Sequence, residues 1–334
     1  MSNTASANGV TLMKPLDPLS RRRFLAVLGA SAATLALPAR AAYEAGKFRI
    51  GYQKAASTLV LAKANGSLEA RLRPLGVEVT WAEFAAGPQL LEGLNVGAID
   101  FGYVGEAPPV FAQAAGADFV YSAYEIPTPL AEGVVVANTS PIKTVADLKR
   151  RKVAFNKGSD VHWFLVALLR KHGLDFGDID PVYLAPADAR AALERGSVDA
   201  WAIWDPFLSA VLDQSPVRLL ANAEGAADHH QFFLSQRTFA SKRPDVVKAT
   251  LESLGETGQQ IRADYAGAAA KLAPIQGLDA KIIEKGLRHY AHRYQPVSET
   301  VLAAQQRIAD TFLQLKLIPR PIRVADATLP HPVG

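Results

Sequence analysis

Five short segments carry the residues best suited to chemistry: Ser57-Thr58, Gly87-Pro88, Gly105-Glu106, Gly158-Ser159 and Asp205-Pro206. Each follows a strand-like run and precedes a helical one, and four of them set small residues or hydroxyls beside the free N–H groups of a first helical turn. Such N–H groups, with the positive end of the helix dipole, hold an anion without a cationic side chain. One helix end contributes only about 0.3–2 kcal/mol, so several must converge. Other chemistries find less support. The chain has no cysteine, which removes disulfides, thiolate metal sites, Cys nucleophiles and a lipidated N-terminal cysteine. It has no G-x-S-x-G elbow, no P-loop and no G-x-G-x-x-G after a strand, so the machinery of those motifs is not indicated. His229 and His230 are adjacent and would point to opposite sides of a strand, while His289 and His292 lack the i, i+4 spacing and nearby carboxylate of a metalloprotease helix. No metal and no cofactor are expected.

The elements that must position these segments alternate along the chain. Phe48–Tyr52, Val77–Trp81 and Ile99–Val104 read as strands, each followed by a turn and a helix, which predicts a parallel or mostly parallel sheet. The helical stretch Leu59–Leu72 has a break signal at Asn65-Gly66. A second series begins near residue 131, with Gly133–Ala137, Val153–Phe155, Val182–Leu184 and Ala200–Trp204 as strands and Thr144–Arg150 as a short helix. In the helix predicted over Asp160–Lys171, Val161, Phe164, Leu165, Leu168 and Leu169 follow the spacing of a buried face, and Gly173 ends it. From about residue 241 to Leu317 the pattern is helical. Two α/β lobes followed by helices imply a cleft beyond the strand ends, where the five segments converge.

Residues 1–42 read as a cleaved export signal: Arg21-Arg22-Arg23, an apolar stretch from Phe24 to Leu37 and Ala39-Arg40-Ala41. Ser20-Arg21-Arg22-Arg23-Phe24-Leu25 is similar to the twin-arginine motif, with Ala26 in place of its usual Lys. The 334 residues hold 36 basic and 32 acidic side chains, a formal charge of +4. The leader carries five basic residues against one acidic, so the remainder has 31 of each sign and none of the basic footprint of a nucleic-acid binder. Hydrophobic residues at 49% and charged residues at 20% are ordinary for a globular chain.

Several segments together resemble the aliphatic-sulfonate-binding proteins of ATP-driven importers, within the wider nitrate, sulfonate and taurine group of solute-binding proteins. They are Ile50–Lys54, Ala86–Gly97, Gly105–Gln113, Asn156–Ser159, Pro186–Ala192 and Gly196–Phe207. The resemblance implies a two-lobed periplasmic-binding-protein type II fold with a C-terminal helical extension. Residues 43–130 would form the first part of lobe 1, 131–227 lobe 2, and 228–334 the return to lobe 1. It also implies a periplasmic monomer, an alkanesulfonate ligand captured for sulfur acquisition, and an inner-membrane permease with its cytoplasmic ATPase as partners. Taurine, nitrate or another small organic anion is the alternative ligand, and a periplasmic enzyme the alternative class.

Carried over by segment, Gln53, Ser57, Thr58, Gly87, Gly105 and Glu106 face the cleft from lobe 1, with Ser159, His162, Trp204 and Asp205 opposite. Each has a plainer role beside the binding one. Ser159 would cap its helix, and His162 would donate to an oxyanion or sit at the surface. Glu106, awkward beside an anion, would orient its helix or take an amine. Of Trp201 and Trp204, one belongs to the core and the other packs on an aliphatic tail. Ala55-Ala56-Ser57 and Tyr103-Val104 depart from the family's pattern where they affect the ligand.

Overall fold

The computed structural model describes Glu44 and residues 46–329; the expected leader lies outside them. The first lobe runs β1 (Lys47–Tyr52), α1 (Ser57–Asn65), α2 (Ser67–Leu72), β2 (Glu78–Glu83), α3 (Gly87–Asn95), β3 (Phe101–Gly105), α4 (Ala107–Ala114) and β4 (Phe119–Glu125). The second comprises β5 (Glu132–Ala137), β6 (Lys152–Phe155), α5 (Asp160–Lys171), β7 (Asp180–Tyr183), α6 (Pro186–Glu194), β8 (Ala200–Trp204), α7 (Phe207–Gln214) and β9 (Val217–Asn222). The chain then returns through β10 (Gln231–Gln236), α8 (Arg237–Lys242), α9 (Pro244–Ala263), α10 (Tyr265–Gln276), α11 (Ala280–His289), β11 (Tyr294–Gln295) and α12 (Glu299–Gln314).

Local chemistry accounts for these bounds. Gly66, at φ +64°, ends α1 where the sequence signalled a break. The α5 stripe is buried throughout, and Gly173 at φ +73° follows its end. β3 and β8 are buried at every residue, as strands covered on both faces must be. At Thr144 a capping box with Asp147 closes a single 3₁₀ turn, Val145–Leu148, in place of the expected α-helix.

The sheets are mixed where a mostly parallel arrangement was expected. The six strands of the first are ordered β11-β4-β10-β3-β1-β2, and β10 lies antiparallel between β3 and β4. The second is ordered β7-β6-β8-β5-β9, with β5 antiparallel to β8 and β9. The reason is the connectivity: β5 and β10 are the strands by which the chain enters each lobe from the other, so they run against those built by local crossovers. The helical reading from 241 to 317 is also broken. Tyr294 and Gln295 form β11 against Glu125 and Tyr124, at the sheet's edge.

β10 ties the first lobe together. Phe232 joins one apolar layer with Leu90, Val104 and Phe312, and Phe233 the other with Phe48, Phe101 and Phe239, because successive strand residues face opposite sides. Phe233 has no solvent exposure, and its ring lies 5.6 Å from Phe101, 5.0 Å from Tyr103 and 4.8 Å from Tyr294. Phe233→Ala is expected to cost about 3–5 kcal/mol. Urea unfolding checks this, and a loss below about 1 kcal/mol would show that this layer does not depend on the ring.

Candidate functional site

A cavity is enclosed between the lobes. Gln53, Ala55, Gly87, Tyr103, Gly105 and Pro108 line it from the first lobe's strands and helix starts. Ser159, Asp160 and Trp204 line it from the second, with Gln231 and Tyr290 from the return segment. The closed lobes leave about 10 Å³ for the centre of a water-sized sphere, room for about one water. No lysine or arginine is among the lining residues.

Closure is tightest at Gly105. A Cβ there would lie 2.0 Å from the Asp160 carboxylate, so the absent side chain is the space into which α5's first residue reaches across the cleft. The Ala107 N–H, at the start of α4, donates to that carboxylate. Few donors remain beside it, since Pro108 and Pro109 follow in α4 and Pro88 follows Gly87 in α3, each without an N–H.

Most of the lining side chains spend their donors on the protein. Gln53 Nε2 donates to the Tyr103 carbonyl at 3.1 Å and the Ser159 hydroxyl to the Asn156 carbonyl at 2.7 Å. Tyr103 donates to Glu125, and Tyr290 to the Asp205 carbonyl at 3.3 Å. Gln231 Nε2 reaches Asp160 Oδ2 at 3.3 Å and His229 Nε2 at 2.9 Å. Ser159 therefore does not cap α5 with its side chain as expected; its hydroxyl points back into the preceding turn.

Of the ten residues expected at the site, Gln53, Gly87, Gly105, Ser159 and Trp204 line the cavity. Trp201 is the core member of the tryptophan pair, with 1% of its surface exposed. The other five lie elsewhere. Ser57 and Thr58 line a separate small cavity with Tyr103, Phe233 and His292, where Thr58 accepts from the Tyr294 hydroxyl at 2.5 Å. Glu106 is buried behind the cleft; its Oε2 accepts from the His230 N–H at 3.1 Å, its Oε1 has no partner, and burial raises its pKa. Asp205 accepts from the Ser209 N–H at 2.9 Å at the start of α7 and lies 2.5 Å from His289 Nδ1.

His162 is neither a cleft donor nor a surface residue. It lies on the same buried stripe as Val161 and Leu165, its ring stacked 5.6 Å from Phe111 and close to Phe155 and Phe312. Its Nδ1 accepts from the Gly158 N–H at 3.2 Å. Burial, then the charge of Lys157, pushes its pKa down to about 3.

Sequence reasoning missed Pro108, Asp160, Gln231 and Tyr290 as lining residues, and marked Ala55 and Tyr103 only as departures from the family's pattern that affect the ligand. Asp160 had a signal, since it follows Ser159 in the same helix start. Burial and then the charge of Glu106 push its pKa up to about 7, and its Oδ1 has no partner. Behind it, Glu132 has no solvent exposure and neither oxygen is partnered, and burial, with Glu106 and Asp160 adding to it, holds its pKa well above the usual range. His229 lies 3.8 Å from Glu132 and 3.9 Å from Asp160. Burial lowers its pKa to about 4, so the ring is neutral: Nδ1–H donates to the Thr128 carbonyl at 3.0 Å and Nε2 accepts from Gln231. Among the described residues no group of three or more His, Asp or Glu could hold a metal, and no helix is long and apolar enough to cross a membrane.

Two mixed α/β lobes joined by two crossings, closed on a cavity lined by helix starts, define a solute-binding protein of the periplasmic-binding fold. Residues 73–264 match the NMT1/THI5-like family. A relative in Escherichia coli K12, named for binding aliphatic sulfonates, is 46% identical over 88% of this chain and 91% of its own. The alkanesulfonate-binding protein of Xanthomonas axonopodis pv. citri, solved bound to MOPS, is 47% identical with a TM-score of 0.82, covering 86% of this chain and 99% of that one. The periplasmic aliphatic-sulphonate-binding protein of Escherichia coli gives 45%, 0.80, 86% and 93%. The chain belongs to this NMT1/THI5-like family, alongside its aliphatic-sulfonate-binding members. These relatives are binding proteins, not enzymes.

His162 is expected to make the fold acid-labile. Its folded pKa lies below its unfolded value of about 6.5, so its neutral ring stabilises the fold fully above that value, and the contribution is lost as pH falls toward 3. His162→Phe is expected to lose less stability than the wild type between pH 7 and pH 4, by roughly 2–3 kcal/mol. Unfolding at both pH values checks it, and equal losses would contradict the buried neutral ring.

Proposed function

We propose that the protein is the solute-capturing component of an ATP-driven importer and that it binds aliphatic sulfonates. The observation that carries this reading is the enclosed interlobe cavity, faced by the starts of α3, α4 and α5 and lined by no cationic side chain. A sulfonate spreads one negative charge over three oxygens, which suits several weak backbone donors better than one strong ion pair. Trp204 and Tyr290 offer aromatic surface to a short apolar tail. Opening of the lobes admits the solute and closure removes it from water. Under this reading the protein is exported to the periplasm as a monomer, its leader the twin-arginine-like segment of residues 1–42, and it delivers its solute to a membrane permease driven by a cytoplasmic ATPase. The relatives' binding of sulfonates and the periplasmic setting of the Escherichia coli protein support it.

Isothermal titration with C2–C4 alkanesulfonates, 3-aminopropane-1-sulfonate, taurine, nitrate and bicarbonate tests the reading. At least one sulfonate is expected to bind more tightly than nitrate or bicarbonate, and no binding of any sulfonate would overturn it. Gly105→Ala is expected to weaken the best ligand at least tenfold with little loss of thermal stability. The added Cβ displaces only the end of the flexible Asp160 side chain while narrowing the cavity.

A further inference from the structure

The cavity's polar groups divide into two kinds. Its donors are mainly backbone N–H groups at helix starts, with the Trp204 indole N–H and one N–H of Gln53 beside them. Its other side chains offer acceptors, because the hydroxyls of Ser159, Tyr103 and Tyr290 and both N–H bonds of Gln231 point into the protein. Among these acceptors Asp160 stands apart. Its residue surface is 9% exposed, it lines the cavity, and its Oδ1 has no partner. A buried carboxylate of this kind is costly unless a counter-charge meets it.

Against it the protein sets only the Ala107 N–H and the helix starts on either side, with no cationic side chain in the lining. The titratable groups facing Asp160 are Glu106 from the start of α4, Glu132 from β5, and His229 and Tyr290 from the return segment; the first two repel it and the ring of His229 is neutral. Trp204 and Tyr290 complete the lining, and aromatic rings attract cations to their faces.

Building on the sulfonate reading, we propose that the ligand is a zwitterion, a sulfonate bearing a protonated amine, with Asp160 as the specificity-determining residue that receives the ammonium. The sulfonate goes to the helix-start N–H groups, and the amine's N–H bonds go to Asp160 Oδ1 and the lone pairs of Ser159. The ligand thereby brings the counter-charge that the cavity lacks. A plain alkanesulfonate places a methyl group against the carboxylate and leaves it unpaired.

The test is a matched pair of equal chain length, 3-aminopropane-1-sulfonate and butane-1-sulfonate, titrated calorimetrically into the purified protein at pH 8, where Asp160 carries its charge. The wild type is expected to bind the amine at least tenfold more tightly. In Asp160→Asn that preference is expected to fall below about threefold, with butane-1-sulfonate bound at least as well as by the wild type. Equal or tighter wild-type binding of butane-1-sulfonate overturns the proposal and leaves the sulfonate reading standing. Undiminished amine preference in Asp160→Asn overturns the role of Asp160. If neither compound nor any other sulfonate binds, the sulfonate reading falls and takes this one with it. Should Asp160→Asn fail to fold, Asp160→Ser and the wild-type comparison decide the matter.

Discussion

The closed cleft depends on the seating of the Asp160 carboxylate in the volume that Gly105 leaves empty. The first residues of α4 and α5 meet there, each the positive end of a helix dipole, and bringing two such ends together in a buried place is unfavourable without a negative charge between them. Asp160 belongs to one helix and accepts from the Ala107 N–H of the other, so it satisfies both from within the chain. Any side chain at position 105 would force that carboxylate away. The glycine is required for what its missing Cβ admits, not for an unusual backbone angle.

Placing one carboxylate there sets the conditions around it. Glu106, Glu132 and Asp160 lie near one another beside the crossings between lobes; Glu106 raises the pKa of both others, and Asp160 that of Glu132. The protein treats buried carboxylates in two ways. Glu125 is partnered at both oxygens, accepting from Tyr103 and from the His292 N–H at 2.5 Å, and that network holds the residues just before β11 against the end of β4. Glu132 and one oxygen of Asp160 have no partner. The first pattern is that of a structural tie, since each oxygen has a task within the fold. The second leaves unmet bonding capacity beside the enclosed space between the lobes, which under the proposed function a solute with donors would satisfy.

Much of this was legible in the sequence. The α5 stripe and Gly173 gave that helix its bounds to the residue, one tryptophan of the pair Trp201 and Trp204 was expected in the core and the other at the cleft, and strand–turn–helix order put Gly87, Gly105 and Ser159 at helix starts facing the cleft. Local pattern was silent wherever two distant stretches decide the outcome. The antiparallel course of β5 and β10 follows from how the lobes are joined, and β11 is two residues long with no pattern of its own. Tyr290 reaches the cavity from a stretch that reads as surface helix. His162 shows the limit most clearly: its place in the first turn of α5 suggested a ligand, yet the aromatic rings around it come from four segments between Phe111 and Phe312. Which donors are spent, and on what, is likewise a property of the assembled site.

The way the site attracts its solute follows from that accounting. Beyond residue 42 the basic and acidic residues balance, so no overall field draws an anion in, and the cavity has no cationic side chain to hold one. Attraction rests chiefly on backbone N–H groups, and the sequence limits even these, because Pro88, Pro108 and Pro109 remove three donors from the helix starts that face the cleft. A small symmetric anion such as nitrate draws only on those few donors and meets the Asp160 carboxylate at close range. A larger solute with an anionic head draws on the same donors, and its apolar part gains from Trp204 and Tyr290. Under the proposed function, discrimination against small anions arises by subtraction: the fold withholds cations and many of the donors that would bind any anion, so that affinity requires the rest of the solute.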